Sequence, residues 1–597
     1  MAVHQLPILP MLALLVCAGA AAAGEAEHPH TPAPVIVNGP HREYLTRVAR
    51  RTVSDAILLG KTYSPDYIPE ALVERPGEVV VRVRHHGYLL GTGVGGPGPL
   101  AGSTRDAASA AAAGLAGDTP ARDRIDDLLI EIEVIGPPAA LRSALDWTRP
   151  GAVDPFLEPG VDGVLVVAGE RARRVCPSEI VTSDVTLAEA LRLLAQGLQL
   201  SGGQIPQTSL SRFRTAHWYE PRAGARIVVL QRGMTVVPRQ AVSAGGLKEA
   251  IDRIAEYMAY RQRDSGLFTY QFEPGSDRYS DEDNAVRQTG ATLAMAVHAR
   301  WSEKSASSAA ADLAITHHLE RLSDVPSADE ASFIATADGR NKLGVTALLA
   351  LALANHSDAA RHEPVRQRLV KGMLSLQRPS GMFMTAFPPA IEVRGQDYFP
   401  GEALLALARE YEHRPAAEIL EAFDRAIDFY REYFETSRSP AFVSWQVQAF
   451  ALMARHTKRK DYSDHVFALT DYLAERQLTA GNCEWHELHG GIAGYGDGRA
   501  GVATASYLEG FADALVLARQ LDDVERARRY EQLVREAARF VIQLQVRQEE
   551  AYFIRSPQDA IGGIRTAPAL NKLRIDHCQH ALLSLIKTRE ALYPSGE

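Results

Sequence analysis

From about Ala244 onward, apolar positions recur at spacings of three and four, which predicts helices near 246–262, 284–301, 306–322, 342–355, 364–377, 401–412, 415–434, 441–456, 463–477, 501–519, 523–547 and 571–592. Twelve helices make six hairpins. The connections after the first, second, third, fifth and sixth odd-numbered helices are long, and those after even-numbered helices are mostly short. The long connections share a text: YRQRDSGLFTYQFEP, SLQRPSGMFMTAFPP, ERQLTAGNCEWHELH and LQVRQEEAYFIRSP each follow a Gln-bearing helix end with a turn and an aromatic or apolar pair. Repetition of this kind marks stacked structural units. It predicts an inner ring of six helices inside an outer ring, with every long loop on one face.

The N-terminal half has a mixed pattern. HREYLTRVARRTVSDAILLG is helical and GEVVVRVRHHGYLLGTGVG alternates as a hairpin, followed by the alanine-rich helix STRDAASAAAAGLAGD. DDLLIEIEVIGPPAAL alternates apolar and acidic residues as a strand does. GVDGVLVVAGERARRVCPSEI forms a second hairpin, TLAEALRLLAQGLQLSGG a helix, and RFRTAHWYEP a closing strand. The fold class read here is an α+β N-terminal domain followed by an all-α (α/α)6 toroid.

Composition bounds the rest. The chain has 597 residues, more than one hydrophobic core supports, so two domains are expected. A net charge of −9 supplies no basic footprint for nucleic acid, and the chain after the N-terminal segment has no apolar run long enough to span a bilayer. The run from Ile8 to Ala23, ending in small residues, predicts a secretory signal peptide over residues 1–23 and a periplasmic or secreted protein. Residues 24–41 read as a Pro- and His-rich linker, 42–240 as the α+β domain and 244–597 as the toroid.

Two resemblances follow from these motifs. The order GYLLGTGVG, alanine-rich helix, LLIEIEVIGPP, PGVDGVLVV, RFRTAHWYE over roughly 42–235 resembles the AMME chromosomal region candidate protein family, an α+β fold. Members usually read Leu-Arg-Gly-Cys-Ile-Gly where this chain has Leu89-Leu90-Gly91-Thr92-Gly93-Val94, so the family's Arg and Cys are absent. The domain is expected to act as a docking or scaffold module for a protein partner. The six-hairpin region resembles the (α/α)6 catalytic domains of carbohydrate-active enzymes and the lanthionine-cyclase toroids, which implies a carbohydrate substrate in the first case and zinc in the second.

If the long loops share a face, the starts of the even-numbered helices share it too. Asp283, Asn284, Arg287, Gln288, Asp397, Tyr398, Trp445, Gln446, Arg574 and Asp576 then line one mouth. The stretch Gly481–Arg499, dense in Cys483, Glu484, Trp485, His486, Glu487 and His489, forms one wall, facing Arg574 to His580. Sugars need such a mixture of carboxylate, amide, guanidinium and ring faces. Glycoside hydrolysis needs one protonated and one ionised carboxyl.

The expected catalytic groups are Glu484 and Glu487 opposite Asp283 or Asp397, with His486, His577 and His580 as acid, base or orienting groups. Substrate-binding residues are Asn284, Arg287, Gln288, Tyr398, Trp445, Gln446, Arg574 and Asp576, and the two arginines suit an acidic sugar. Helix capping is the plainer reading of Asp281 and Glu402 and stands level with a role in the mouth for Asp283, and core packing is the plainer reading of Trp445.

For the cysteine clusters three readings stand. The histidines act in acid–base chemistry with no cofactor, or Cys483, His486, His489, His577, Cys578 and His580 supply zinc ligands, or Cys483 and Cys578 form a disulfide. The function expected is an exported glycoside hydrolase or a related lyase or epimerase. The alternatives are a zinc-dependent toroid enzyme and a non-enzymatic binding or maturation factor.

Overall fold

The structure, a computed structural model, describes residues 35–594 apart from 74, 116–118, 142–146, 150–155, 303, 327, 391 and 495–498. The expected signal segment and most of the linker lie outside the described residues, as do residues 495–498 of the Gly481–Arg499 stretch.

The N-terminal region runs α1 (Gly39–Leu59), α2 (Glu70–Val73), β1 (Pro76–His85), β2 (Tyr88–Pro99), α3 (Leu100–Ala112), α4 (Thr119–Asp123), β3 (Leu129–Ile135), β4 (Ala139–Ala140), β5 (Asp162–Ala168), β6 (Arg171–Val175), α5 (Pro177–Thr182), α6 (Leu187–Gly197), β7 (Ser209–Glu220) and β8 (Val228–Leu230). The main sheet is antiparallel in the order β2-β1-β3-β7-β5-β6, with β4 and β8 also paired to β7. α1 begins two residues before the linker was expected to end, capped by Asn38, whose side chain accepts from the His41 backbone N–H at 2.9 Å.

Alternation along β1 and β3 places Val81, Val83, Ile130 and Ile132 against α1 and α3. The motif LLGTGVG is a packing device: a Cβ on Gly91 or Gly93 would lie 2.0 Å from the Ala111 or Ala107 carbonyl of α3, so only glycine lets strand and helix touch. The acidic positions of β3 are buried too. Arg82 Nη1 lies 3.0 Å from both Glu131 and Glu133, Arg84 Nε is 2.7 Å from Glu131, and His217 is 3.0 Å from Glu131. Strand alternation that usually marks a wet face is covered here, because Tyr219 of β7 stacks on Tyr552 of the helical region at 5.0 Å.

The C-terminal region contains twelve helices among the described residues: α7 (Ala244–Tyr260), α8 (Ala285–Ser302), α9 (Ser305–Leu319), α10 (Leu343–Asn355), α11 (Glu363–Ser375), α12 (Phe399–His413), α13 (Ala417–Ser437), α14 (Pro440–Thr457), α15 (Lys460–Ala474), α16 (Ala503–Gln520), α17 (Val524–Gln543) and α18 (Ile575–Leu592). Even-numbered helices pack on one another in the cycle α8-α10-α12-α14-α16-α18-α8, a closed inner ring. They are apolar on nearly every side, as in α10, LGVTALLALALAN, because both their lumen and outer faces are covered. The outer helices α13 and α17 are amphipathic, with buried aromatic and aliphatic residues on one stripe only.

The shared loop text has one structural job. Gln262, Gln377, Gln477 and Gln545, each just past the end of an outer helix, donate from Nε2 to the carbonyls of Ala310, Ala422, Leu533 and Ala250 at 2.8, 2.8, 3.1 and 3.0 Å. Each acceptor lies in the next outer helix of the ring. In the same turns Gly266, Gly381, Gly490 and Gly562 have φ between 87° and 93° and press against that helix, so a side chain is excluded twice over.

Candidate functional site in the toroid lumen

The long loops gather at the N-terminal ends of the inner helices, and the N-terminal region docks on part of that front face. Gly481–Arg499 serves this docking. Glu487 is buried, 2% exposed, and its carboxylate accepts from Arg232 Nε at 2.6 Å. Arg232 also pairs with Glu158 at 2.6 Å, and Trp485 receives the guanidiniums of Arg214 and Arg232 at 4.8 and 5.2 Å. Glu484 is exposed, 3.8 Å from Arg214. His486 is exposed and meets His489 edge-on at 5.1 Å, and His489 Nε2 bonds the Cys483 carbonyl at 2.8 Å. The expected wall of the mouth is therefore an interdomain contact, and the carboxylates preferred for catalysis are a buried ion pair and a solvated rim charge.

The last helix divides likewise. His577 and Cys578 point into the core, where His577 Nδ1 faces the Ile564 carbonyl at 3.3 Å and burial lowers its pKa to about 4. Burial pushes the Cys578 thiol up to about 12. Cys176, Cys483 and Cys578 are all free thiols, so the expected disulfide is not formed. Among the described residues no group of three or more His, Cys, Asp or Glu side chains is placed to hold a metal ion, because the expected zinc ligands are split between the docking loop and the core.

Other mouth candidates are structural. Asn284 caps α8, its Oδ1 accepting from Arg287 N at 3.2 Å, and Asp283 accepts from Gln288 Nε2 at 2.8 Å. Gln288 clamps the preceding loop, accepting from Phe268 N and donating to Phe268 O, both at 2.9 Å. Asp397 accepts from Tyr433 at 2.8 Å and Ser439 at 3.1 Å, bracing the junction of α13 and α14. Gln446 is buried with no hydrogen-bond partner at either end of its amide.

What faces the lumen is a different set. His580 Nδ1 lies 2.7 Å from Glu509 Oε1, between α18 and α16. The Trp445 ring is 5.8 Å from the His580 ring, a contact between α14 and α18 that skips α16 and so crosses the lumen. Glu402 enters from α12, and a Cβ on Gly344 of α10 would stand 2.2 Å from its Oε2. That oxygen has no hydrogen-bond partner. Glu402 does not act as a helix cap.

The environments drive these groups apart. Burial raises Glu402 to about 8 against the pull of His580 and Lys342, so it is protonated at neutral pH. Burial also works against charge on His580, but the Glu509 hydrogen bond and the Glu509 and Asp576 carboxylates prevail and its pKa is raised. Because Nδ1 is engaged by Glu509, Nε2 is the ring nitrogen left to meet a ligand, and the His580 side chain is 22% exposed. Glu509 itself is 1% exposed and acts through His580.

Above this group sits a charged and aromatic rim. Arg574 holds Asp576 through two bonds of 2.6 and 2.9 Å, and Arg287 Nε adds a third contact at 3.0 Å. Asp576 is half-buried, which works against its charge, yet the two guanidiniums hold its carboxyl well below the usual range. Arg287 also donates to the Tyr270 hydroxyl, and Tyr398, 46% exposed, stands nearby. Six inner-helix N-termini converge here, which adds positive potential to that of the arginines.

The sequence puts His580, Arg287, Arg574, Asp576, Trp445, Tyr398 and Glu402 among the mouth candidates, Glu402 with capping as its plainer reading, and passes over Glu509. The signal for Glu509 was present: with Asp513 it is one of two carboxylates in the otherwise largely apolar run SYLEGFADAL of an inner helix.

No family model matches the chain, and no curated protein matches it significantly. Among solved structures it is similar to a GH76 alpha-mannanase of Bacteroides thetaiotaomicron, at 12% identity over 57% of this chain and 95% of that one with a TM-score of 0.41. Cellobiose 2-epimerase of Bacillus thermoamylovorans matches at 11% identity over 57% and 98% with a TM-score of 0.44. The chain is also similar to an uncharacterized protein from Pyrococcus horikoshii, at 21% identity over 32% of this chain and 96% of that one with a TM-score of 0.26. The toroid assignment rests on the closed cycle of inner helices and not on these likenesses.

Proposed function

We propose that the chain is a carbohydrate-active enzyme working at the front of the toroid lumen. The observation that carries this reading is the pairing of a carboxyl kept protonated, Glu402, with a histidine oriented by a buried carboxylate, His580 and Glu509. In a hydrolase reaction Glu402 donates its proton to the glycosidic oxygen as the bond to the anomeric carbon breaks. His580 Nε2 takes a proton from the attacking water, and Glu509 stabilises the imidazolium. Trp445 offers an apolar ring face, and Arg287 and Arg574 suit the carboxylate of an acidic sugar.

A second reading is sugar epimerisation or isomerisation. It is favoured by the same dyad, because abstraction of a proton next to a carbonyl needs an oriented base, and Glu509 orients His580 with Nε2 left to take the proton. The N-terminal region is inferred to frame the substrate entrance and to offer its outer surface to a protein partner. Export follows from the signal segment.

The test is a screen of acidic and neutral oligosaccharides and of reducing sugars in deuterated water, with E402Q, E509Q and H580Q variants alongside wild type. Hydrolysis products or deuterium incorporation, lost at least about 100-fold in the variants, support the two readings respectively. Turnover that survives in both E402Q and H580Q removes the assignment. Saccharide binding without turnover in wild type makes the toroid a binding module.

A further inference from the structure

Behind the Glu509–His580 pair the lumen opens again, on the face where the inner helices end. A cavity of 420 Å³ lies there, with Trp445 and Glu509 as its floor. That size falls in the range of small-molecule sites, about 300–1,000 Å³. Its wall holds a built polar group: Lys587 Nζ donates to Gln448 Oε1 and to Asp513 Oδ2, both at 2.6 Å. Gln448 is buried, and Trp301 and Asn355 stand half-buried at the rim. Leucines of several inner helices, among them Leu351 and Leu452, supply the apolar remainder.

Charge decides the ligand class. Arg300, Arg409, Arg455 and Lys587 face Glu509, Asp513 and Glu590 across the cavity. Arg409 is paired with Glu412, and Arg455 Nε bonds Gln520 at 3.2 Å. The six inner helices also turn their C-terminal ends to this side, each worth about half a negative charge. The excess of cations is offset, so no net field draws an anion inward. What remains is a set of closely spaced donors and acceptors between two indole rings and aliphatic walls, the combination that binds hydroxylated rings.

We propose that the rear cavity is a second binding site, for a neutral saccharide of one or two rings, separated from the front site by Trp445 and the Glu509–His580 pair. The structural alternative, in which the arginines only complement the helix ends, accounts for the rim. It leaves the half-buried Lys587–Asp513 pair, its bond to the buried Gln448 and the open volume without a purpose.

The experiment is titration of the full chain with D-glucose, D-mannose, cellobiose, maltose and D-glucuronate, read by saturation-transfer NMR and calorimetry. L452W fills the cavity two turns behind Trp445, and N355L changes only the rim, so a folded variant is available even if the first fails. At least one neutral sugar should bind saturably, at least tenfold more weakly in L452W and N355L, with unchanged affinity in the front variants E402Q and R574Q. The proposal falls if none of the four neutral sugars binds. It falls equally if binding persists undiminished in N355L, if it is lost in E402Q, or if N355L weakens glucuronate binding more than it weakens the binding of every neutral sugar. Because binding at the rear is read without turnover, failure of the front-site reading leaves this result interpretable.

Discussion

The side-chain amide of Gln545, just past the last outer helix, donates to the carbonyl of Ala250 in the first outer helix at 3.0 Å. This bond joins the two ends of a sequence that must return on itself, and three other glutamines make the same bond elsewhere in the ring. Gln545→Leu removes this second bond from the Ala250 carbonyl, which costs about 0.5–1.5 kcal/mol. Calorimetry should show a lower melting temperature for Q545L, with a comparable loss for Q262L. A change within error in both would mean that helix packing alone closes the ring.

Glu402 is expected to make stability fall with pH. Its folded pKa is about 8 against 4.5 for an ordinary carboxyl, so between these values the native state holds a proton that the unfolded chain has lost. Stability therefore declines as pH rises from about 4.5 to about 8 and is flat in this respect above. Glu402→Gln removes the penalty, and the stability difference between E402Q and wild type should widen across that window by an amount on the order of a few kcal/mol. Parallel pH dependences of the two proteins would remove Glu402 from the list of protonated carboxyls.

The same titration shapes turnover. If Glu402 must be protonated and His580 neutral, activity rises through the raised His580 pKa and falls near pH 8. Wild type should show both limbs. E509Q should shift the acid limb to lower pH, because the hydrogen bond that supports the imidazolium charge is weakened.

Glu487 is expected to matter for assembly and not for chemistry. Glu487→Gln removes one of the two carboxylates that pair with buried Arg232 and leaves Glu158 at 2.6 Å, a change that costs about 1–3 kcal/mol. Denaturation of E487Q should split into two transitions as the regions uncouple, while residual turnover of the native fraction stays within about threefold of wild type. Loss of turnover without any change in unfolding would reinstate Glu487 in the site.

The thiols offer a simple check on the cysteine assignment. Cys483 is half-buried and Cys176 and Cys578 are fully buried, so native labelling followed by peptide mapping should modify Cys483 alone. Denaturant should release the other two without reductant. A Cys483–Cys578 cross-linked peptide would contradict the free thiols.

The chain determined its helices by itself. Apolar residues at spacings of three and four located every ring helix, since helix formation and the burial of one stripe are local properties of 12 to 20 residues. Alternation of long and short connections fixed which helix ends share a face, and the Gln-bearing turns announced a repeat. Sequence also put Arg287, Arg574, Asp576 and His580 at or within two turns of the starts of inner helices, where the structure has them.

The tertiary structure alone decided what each polar side chain faces. Glu402 and Glu487 both follow loops on the front face, yet one meets a dry lumen with no partner and the other meets Arg232 from 255 residues upstream. A carboxyl's chemistry is set by desolvation and by the charges around it, and both depend on elements far away in the chain. The same holds for Glu131 and Glu133, whose alternation reads as a wet strand face until the toroid covers it. Local periodicity encodes the ring, whereas the protonation state of its centre belongs to the assembled ring only.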